Sequence, residues 1–352
     1  MNIGRWFLIF VTACVLTGCS REIPPPVEQA WTTMGTFASL TLPASESNRL
    51  ELCVSETTKC FKEVDEMLSV YIPESEISEL NSTTGIVSVG DETFMLLEDV
   101  AFYADFTEGA FDPTVGSLIQ LWGFSVGEPP KTMPPEDAIA QALESSGYKN
   151  LLIEFTSKGR REVSFTRPGM SIDLGGIAKG HAVDNAYHLL SRHESLSALI
   201  NLGGNIRCLG KASRKRPWRI GVRNPFDGTQ LLGSLSLEPG QAIATSGNYE
   251  RFIMLDGKRY SHIIDPVTGY PVQGMAGVTV LSGDAKDADV MSTALFVKGM
   301  DGAPALLAKR PETHALLVPD RTPIEIWVSR GLKKKFKPLP EYKKAVRVLP
   351  EL

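Results

Sequence analysis

Five cysteines and five histidines in 352 residues leave little material for soft-metal chemistry. No CxxC pair occurs, and the odd cysteine count suits neither a disulfide-stapled small fold nor a zinc knuckle. Positive charge is not in excess: 36 Lys and Arg stand against 41 Asp and Glu, a formal net charge of −5. A broad cationic face for phosphate backbones is therefore missing, which excludes nucleic acid as an expected partner. The chain has no G-x-G-x-x-G dinucleotide fingerprint, no P-loop and no G-x-S-x-G elbow. It also has no fixed-period repeat, so solenoids and propellers are excluded. What it does have is 43% apolar residues, enough for a substantial core in one large domain or two modest ones.

One apolar run stands apart, Trp6 to Leu16, preceded by Arg5 and followed by Leu16-Thr17-Gly18-Cys19. It is too short to span a bilayer and has the layout of a secretory signal rather than of a buried N-terminal helix. The LTGC segment resembles the bacterial lipobox, which implies acylation of Cys19 and a membrane anchor. Ser20 at the next position leans towards the outer membrane. Pro24 to Pro26 read as a stiff spacer. The expected organisation is a signal peptide over 1–18, a Pro-rich tether over 19–29 and one domain over 30–352. Cys53 and Cys60, seven apart on a predicted helix, lie about 10 Å apart and cannot form a disulfide. Cys208 is expected in the core.

Alternation predicts a strand over Ala30–Leu42 broken at Gly35, and helical spacing of Leu50, Val54, Phe61, Val64 and Leu68 predicts a helix ending near Tyr71. Further helices are expected from Asp91 to near Gly109, from Pro135 to Ser146, from Ile177 to Arg192 and from Lys286 to Lys298. Short strands are expected at 151–155, 162–165, 170–173, 198–202, 218–222, 232–237, 242–245, 252–255, 260–264 and 278–281. Asp256-Gly257 marks a hairpin turn. Strands and helices mixed without strict alternation point to an α+β fold with largely antiparallel sheets and flanking helices. The Lys-rich tail reads as a solvated end.

Glycine-rich turns carry most of the chemical signal. Asp173-Leu174-Gly175-Gly176-Ile177-Ala178-Lys179-Gly180 leaves a strand and opens a helix, where free N–H groups and the helix dipole can receive phosphate; a tight structural turn explains it equally well. It is not a P-loop, because His181-Ala182 stands where Lys-Ser/Thr is required. Asn201-Leu202-Gly203-Gly204-Asn205 ends another strand with two glycines. In Gly109-Ala110-Phe111-Asp112-Pro113 an aromatic and a carboxylate share a turn that could sandwich a ring or simply pin a loop. Ser261, His262 and Asp265 suggest a triad by composition alone, but without the elbow a serine hydrolase is not supported. His262 reads better as a general base for another attack. The other histidines read as surface or helix-face residues. Asp289 and Thr293, four apart, share a helix face and could offer oxygen to a hard cation such as Mg²⁺; helix-dipole stabilisation by the cluster Asp284, Asp287 and Asp289 is the plainer account.

In order along the chain, ten segments resemble the FAD:protein FMN transferase family, the ApbE-family flavin transferases. They are the lipobox, Thr33-Met34-Gly35-Thr36, Leu68-Ser69-Val70-Tyr71 with SEISELN from Ser75, GAFDPTVG from Gly109, LWGF from Leu121, DLGGIAKG from Asp173, INLGGN from Ile200, ATSGNYERF from Ala244, SHIIDPVTGYPV from Ser261 and DADVMSTALFVKG from Asp287. Each alone is weak; together in this order they are specific. The resemblance implies a two-subdomain architecture and an Mg²⁺-dependent enzyme. Its expected reaction moves the FMN half of FAD onto a Thr or Ser hydroxyl of a target protein, releasing AMP. It implies Asp289, Thr293 and the backbone oxygen of Gly176 as metal ligands, and Met34, Tyr71, Ala110, Phe111, Asp112, Asp173, Lys179 and Ile264 as FAD contacts. His262 is the implied base, and Asp265 is inferred as its orienting partner. Ser292 stands where many members carry Asp, which leaves the number of metal ions open. FAD hydrolysis to FMN and AMP, or FAD binding without chemistry, are the alternative readings. A membrane redox subunit is the implied acceptor, and a lipid-anchored, periplasm-facing envelope location the implied address.

Overall fold

Met275–Ser282 is buried along its whole length, because it lies near the middle of a nine-stranded sheet packed on both faces. The computed structural model describes residues 24–125, 130–213 and 216–350; the expected signal peptide, Cys19 and part of the expected tether lie outside them. In spatial order the sheet runs Val27–Thr33, Thr36–Leu42, Ala198–Leu202, Asn205–Leu209, Ala242–Gly247, Met275–Ser282, His314–Pro319, Ile326–Val328 and Val346–Val348. Neighbours pair antiparallel except the last two strands, which are parallel.

Seven α-helices are described: α1 (Leu50–Leu68), α2 (Glu76–Ser82), α3 (Asp91–Phe106), α4 (Gly116–Leu121), α5 (Glu136–Glu144), α6 (Ala178–Leu190) and α7 (Ala285–Ala308). The strand period of two sends adjacent residues to opposite cores. Val278 and Val280 join the core under α1, α6 and α7, whereas Leu281 packs with Ile243, Leu316 and Val318 against a second, three-stranded sheet. That sheet pairs Trp218–Arg223, Leu231–Leu237 and Phe336–Pro338. A third cluster ties α4 and α5 to the hairpin Phe252–Leu255/Lys258–Ser261 through Leu118, Trp122, Ile139, Ile253 and Leu255, and the Trp122 indole donates to the Gly269 carbonyl at 2.9 Å. The α+β class with largely antiparallel sheets is thus the observed one.

Several boundaries differ from expectation for identifiable reasons. The interrupted strand is a hairpin whose turn residues Met34 and Gly35 both have positive φ (47° and 65°), and its first strand begins at Val27, inside the expected tether. Gly203-Gly204 (φ 59° and 90°) likewise turns a hairpin, adding the unanticipated strand Asn205–Leu209. α1 stops at Leu68 rather than near Tyr71. Met170–Asp173 forms only a single parallel bridge, Ser171 with Val115, and the strand expected to reach Ile264 ends at Ser261. α7 continues past Lys298 to Ala308 across a break at Gly299, whose φ of 62° leaves the helical region. Cys53, Cys60 and Cys208 are buried free thiols, as expected. No helix among the described residues is long and apolar enough to cross a membrane.

Candidate active site

Twelve of the thirteen expected catalytic, cofactor and metal positions border one cleft of about 1260 Å³; Asp265 alone does not. One wall is made where α6 meets α7. Gly180 sits so close to the start of α7 that a Cβ there would come within 2.4 Å of the Ala285 carbonyl oxygen, so only glycine permits the approach. The approach lets the Gly180 N–H donate to Asp289 Oδ2 at 3.0 Å. Lys179 donates to the Gly175 carbonyl and lies 3.6 Å from Asp289 Oδ2. Asp173 accepts the Gly175 N–H at 2.7 Å, which shapes the turn before α6. Gly176 faces Thr293: a Cβ on Gly176 would stand 3.3 Å from Thr293 Oγ1. Thr293 Oγ1 also donates to the Asp289 carbonyl one helical turn back, at 3.3 Å.

The acidic start of α7 separates into different jobs. Asp284 caps the helix by accepting the Asp287 N–H at 2.7 Å. Asp184 accepts from the N–H groups of Ala285 (2.8 Å) and Lys286 (2.9 Å) while paired to Arg207 at 2.6 Å. Fully buried Asp287 is saturated by Tyr103, Ser282, Thr313 and Arg310. Helix-dipole stabilisation is therefore supplied by Asp284 and Asp184. Asp289 differs: it is only 4% exposed, yet its Oδ1 accepts no hydrogen bond from the described residues, and it borders the cleft. With Thr293 and the Gly176 backbone it makes an oxygen donor set suited to a hard cation. It is a sparse set, since no group of three or more His, Cys, Asp or Glu among the described residues could hold a metal.

The opposite wall carries His262. Its backbone N–H and its Nδ1 both meet the Arg251 carbonyl, at 3.0 and 3.1 Å. A carbonyl only accepts, so the ring proton sits on Nδ1 and Nε2 keeps its lone pair. Burial of the ring, together with the Arg251 and Lys179 charges, pushes its pKa down to about 4 despite the Arg251 carbonyl, so the imidazole is neutral at pH 7. Asp265, inferred as the orienting partner of His262, does not meet the ring in the structure. Its carboxylate accepts from Val267 N–H (2.9 Å) and Thr268 Oγ1 (3.1 Å), closing its own turn, and the Arg251 carbonyl orients the histidine instead. No triad forms with Ser261, which is buried.

The remaining positions line the cleft in different ways. Tyr71 is half exposed and its hydroxyl donates to the Phe124 carbonyl at 3.2 Å. Met34 sits at the tip of its hairpin with positive φ. Ala110, Phe111 and Ile264 are buried wall residues. Asp112 is a framework residue, its oxygens engaged by Thr114 Oγ1 (2.6 Å) and by the N–H groups of Thr114 (2.8 Å) and Tyr148 (3.0 Å).

The cleft residues without an expected role include Ser246, Glu250 and Arg251. Ser246 Oγ is 2.8 Å from Ser292 Oγ and 3.4 Å from Thr293 Oγ1, so Ser292 faces this buried hydroxyl pair. Glu250 is open to cleft water but enclosed by protein. Enclosure and the nearby Asp289 charge raise its carboxyl to about 7, against the pull of Lys179 and Arg223. All three lie in ATSGNYERF, where the charged pair Glu250-Arg251 shortly after Gly247 is the available signal for two of them.

The ApbE family model matches residues 34–317. The chain is similar to the FAD:protein FMN transferase of Klebsiella pneumoniae, at 33% identity over 82% of this chain and 88% of the relative. It is similar to that of Treponema pallidum at 32% identity, over 90% and 92%. Among solved structures, the ApbE protein of Thermotoga maritima superposes with a TM-score of 0.81 at 34% identity, covering 89% of this chain and 99% of that one. The flavin transferase ApbE of Vibrio cholerae gives 0.76 at 29% identity, over 88% and 100%. The matched span runs from Met34 at the hairpin tip to Leu317 in the main sheet and takes in both walls of the cleft, and the chain belongs to the ApbE family.

Proposed function

We propose that this chain is an FAD:protein FMN transferase that places the FMN half of FAD on a threonine or serine hydroxyl of an acceptor protein. The observation that carries the reading is that a neutral imidazole with an open Nε2 and an oxygen donor set border the same cleft. The acceptor hydroxyl gives its proton to His262 Nε2 while its oxygen bonds to the FMN-side phosphorus. The bond from that phosphorus to the bridging oxygen breaks, and AMP leaves with the oxygen, so a phosphoester-linked flavin remains. Little covalent chemistry is asked of the protein; positioning and charge stabilisation dominate. Lys179 supplies positive charge and the glycine turn before α6 supplies N–H groups.

The residues fit Mg²⁺: Asp289 Oδ1 is left without a hydrogen-bond donor among the described residues, beside Thr293 and the Gly176 backbone. A bound ion there would act as a Lewis acid on the pyrophosphate charge. The resemblance of LTGC at Cys19 to a lipobox supports a lipid-anchored, periplasm-facing envelope location on the inner or outer membrane, and the family resemblance supports an acceptor among membrane redox subunits.

The test is to incubate the mature chain with FAD and Mg²⁺, with and without a Thr-containing acceptor domain, and to follow AMP release and protein-bound flavin fluorescence. AMP with covalent flavin only when acceptor is present is the expected result. AMP with free FMN in its absence would make the enzyme a pyrophosphatase, and tight FAD binding without AMP would make it a carrier.

A further inference from the structure

The base is held by groups that come from three distant parts of the chain. Tyr71 follows α1, Phe124 follows α4, and Arg251 precedes the strand Phe252–Leu255. The Arg251 guanidinium donates through Nη2 to the Phe124 carbonyl at 2.5 Å and to Tyr71 Oη at 3.4 Å. Tyr71 Oη in turn donates to the same carbonyl at 3.2 Å, which closes a triangle. The Phe124 ring stands edge-on to the His262 imidazole, with centroids 6.3 Å apart and planes at 70°. The Arg251 carbonyl accepts from His262 twice, once from the backbone and once from Nδ1.

We propose that Arg251 is a positioning residue that couples the aromatic wall of the cleft, Tyr71 and Phe124, to the orientation of the base His262. The role follows from its two ends. One nitrogen of the planar guanidinium, Nη2, donates to both oxygens along fixed N–H directions, which a lysine ammonium on a flexible stem does not reproduce. The carbonyl of the same residue fixes which imidazole nitrogen is open. Neither end alone would link the wall to the base; one residue carrying both makes displacement of Tyr71 or Phe124 a displacement of the histidine. The Arg251 charge, with Lys179 the other cation acting on His262, also disfavours protonation of the ring. The inference rests on the reading of His262 as base given above.

Two measurements separate its failure from failure of that reading. The first needs no activity: ¹⁵N and ¹H NMR of the histidines in the FAD-free chain, comparing wild type with Arg251→Met and Arg251→Lys. Arg251→Met is expected to raise the pH at which His262 titrates by about one unit and to change the ring environment of Phe124. Arg251→Lys is expected to restore the titration but not the Phe124 signals, because it returns charge without the fixed planar donor. The second is a double-mutant cycle on FMN transfer at saturating FAD. Arg251→Met is expected to slow transfer about 10- to 100-fold in the wild-type background and by no more than about twofold in His262→Gln. Equal losses in both backgrounds, or an unmoved His262 titration in folded Arg251→Met, would overturn the proposal. Absence of transfer by wild type, with the NMR shifts as expected, would instead count against the flavin-transfer reading alone.

Discussion

The two walls of the cleft are built by different means. The wall with Gly176, Lys179, Asp289 and Thr293 stands on α6 and the buried first half of α7, backed by the central strands of the main sheet. The wall with Tyr71, Phe124, Arg251 and His262 stands on helix ends and a short hairpin, and Tyr71 and Arg251 are exposed to the cleft. A packed core holds an atom to a narrow position because its neighbours have nowhere to move. Turns hold theirs through a few hydrogen bonds and open more readily. The wall suited to charge stabilisation, which rewards preorganisation, is the rigid one, and the wall that carries the proposed base is the adaptable one.

The comparison can be broken at its most rigid point first. Asp289→Asn keeps an oxygen for the Gly180 N–H but removes the carboxylate charge, and it is expected to lower AMP release by about 10³-fold or more while leaving the thermal midpoint nearly unchanged. A loss of less than tenfold would show that the donor set is not needed. On the adaptable wall, His262→Gln is expected to cost about 10²- to 10³-fold in transfer rate with FAD affinity held within about twofold, read by flavin fluorescence titration. A large loss of affinity would mean the ring binds FAD rather than moving a proton. Two residues before Asp289 the effect should change kind. Asp287→Asn leaves Arg310 and Tyr103 without their shared carboxylate and is expected to destabilise the fold by roughly 2–3 kcal/mol in denaturant unfolding, with bound FAD restoring part of the activity.

Smaller effects sharpen the contrast. His262 has a folded pKa of about 4, below its ordinary value, so between pH 6.5 and 4 the unfolded chain binds the extra proton. Stability attributable to this residue is therefore present above pH 6.5 and is lost as pH falls towards 4. Relative to His262→Gln, wild type should lose roughly 2 kcal/mol between pH 7 and pH 5; a parallel pair of pH profiles would show that the ring is not held neutral. Last, Asp265→Ala removes acceptors for Val267 and Thr268 and should cost about 1 kcal/mol, with transfer reduced no more than a few-fold. A loss as large as that of His262→Gln would restore Asp265 to the catalytic group.

Much of the fold was legible where one face of an element is buried. The spacing of Val54, Phe61, Val64 and Leu68 marks α1 because these residues face the core, and the alternating strands at 198–202 and 232–237 show the same one-faced logic. Legibility failed where elements are short or glycine-bounded. α2 and α4 span two turns or fewer, too little for periodicity to accumulate, although Ser75 visibly caps α2 by accepting the Ser78 N–H. Gly203-Gly204 marks the end of a strand, but two glycines between apolar runs are also the chemistry of a tight hairpin, which is what they form. At the site, the residue types were visible but their division of labour was not. Asp284, Asp287 and Asp289 look alike along the chain, and Asp265 sits three residues from His262 without touching it.

What the sequence determined by itself is the material of this protein: an α+β pattern, the glycine turns that allow close approach, and the ordered motifs that identify the ApbE family. Tertiary structure alone decided which acid faces the cleft, which carbonyl holds His262 and which distant residues Arg251 joins. The reason is physical. Helical and strand periodicities are local, set by backbone geometry within a few residues, whereas the state of a carboxylate or an imidazole is set by whatever donors and charges surround it. Here such a neighbour can lie 184 residues away, as Tyr103 does from Asp287.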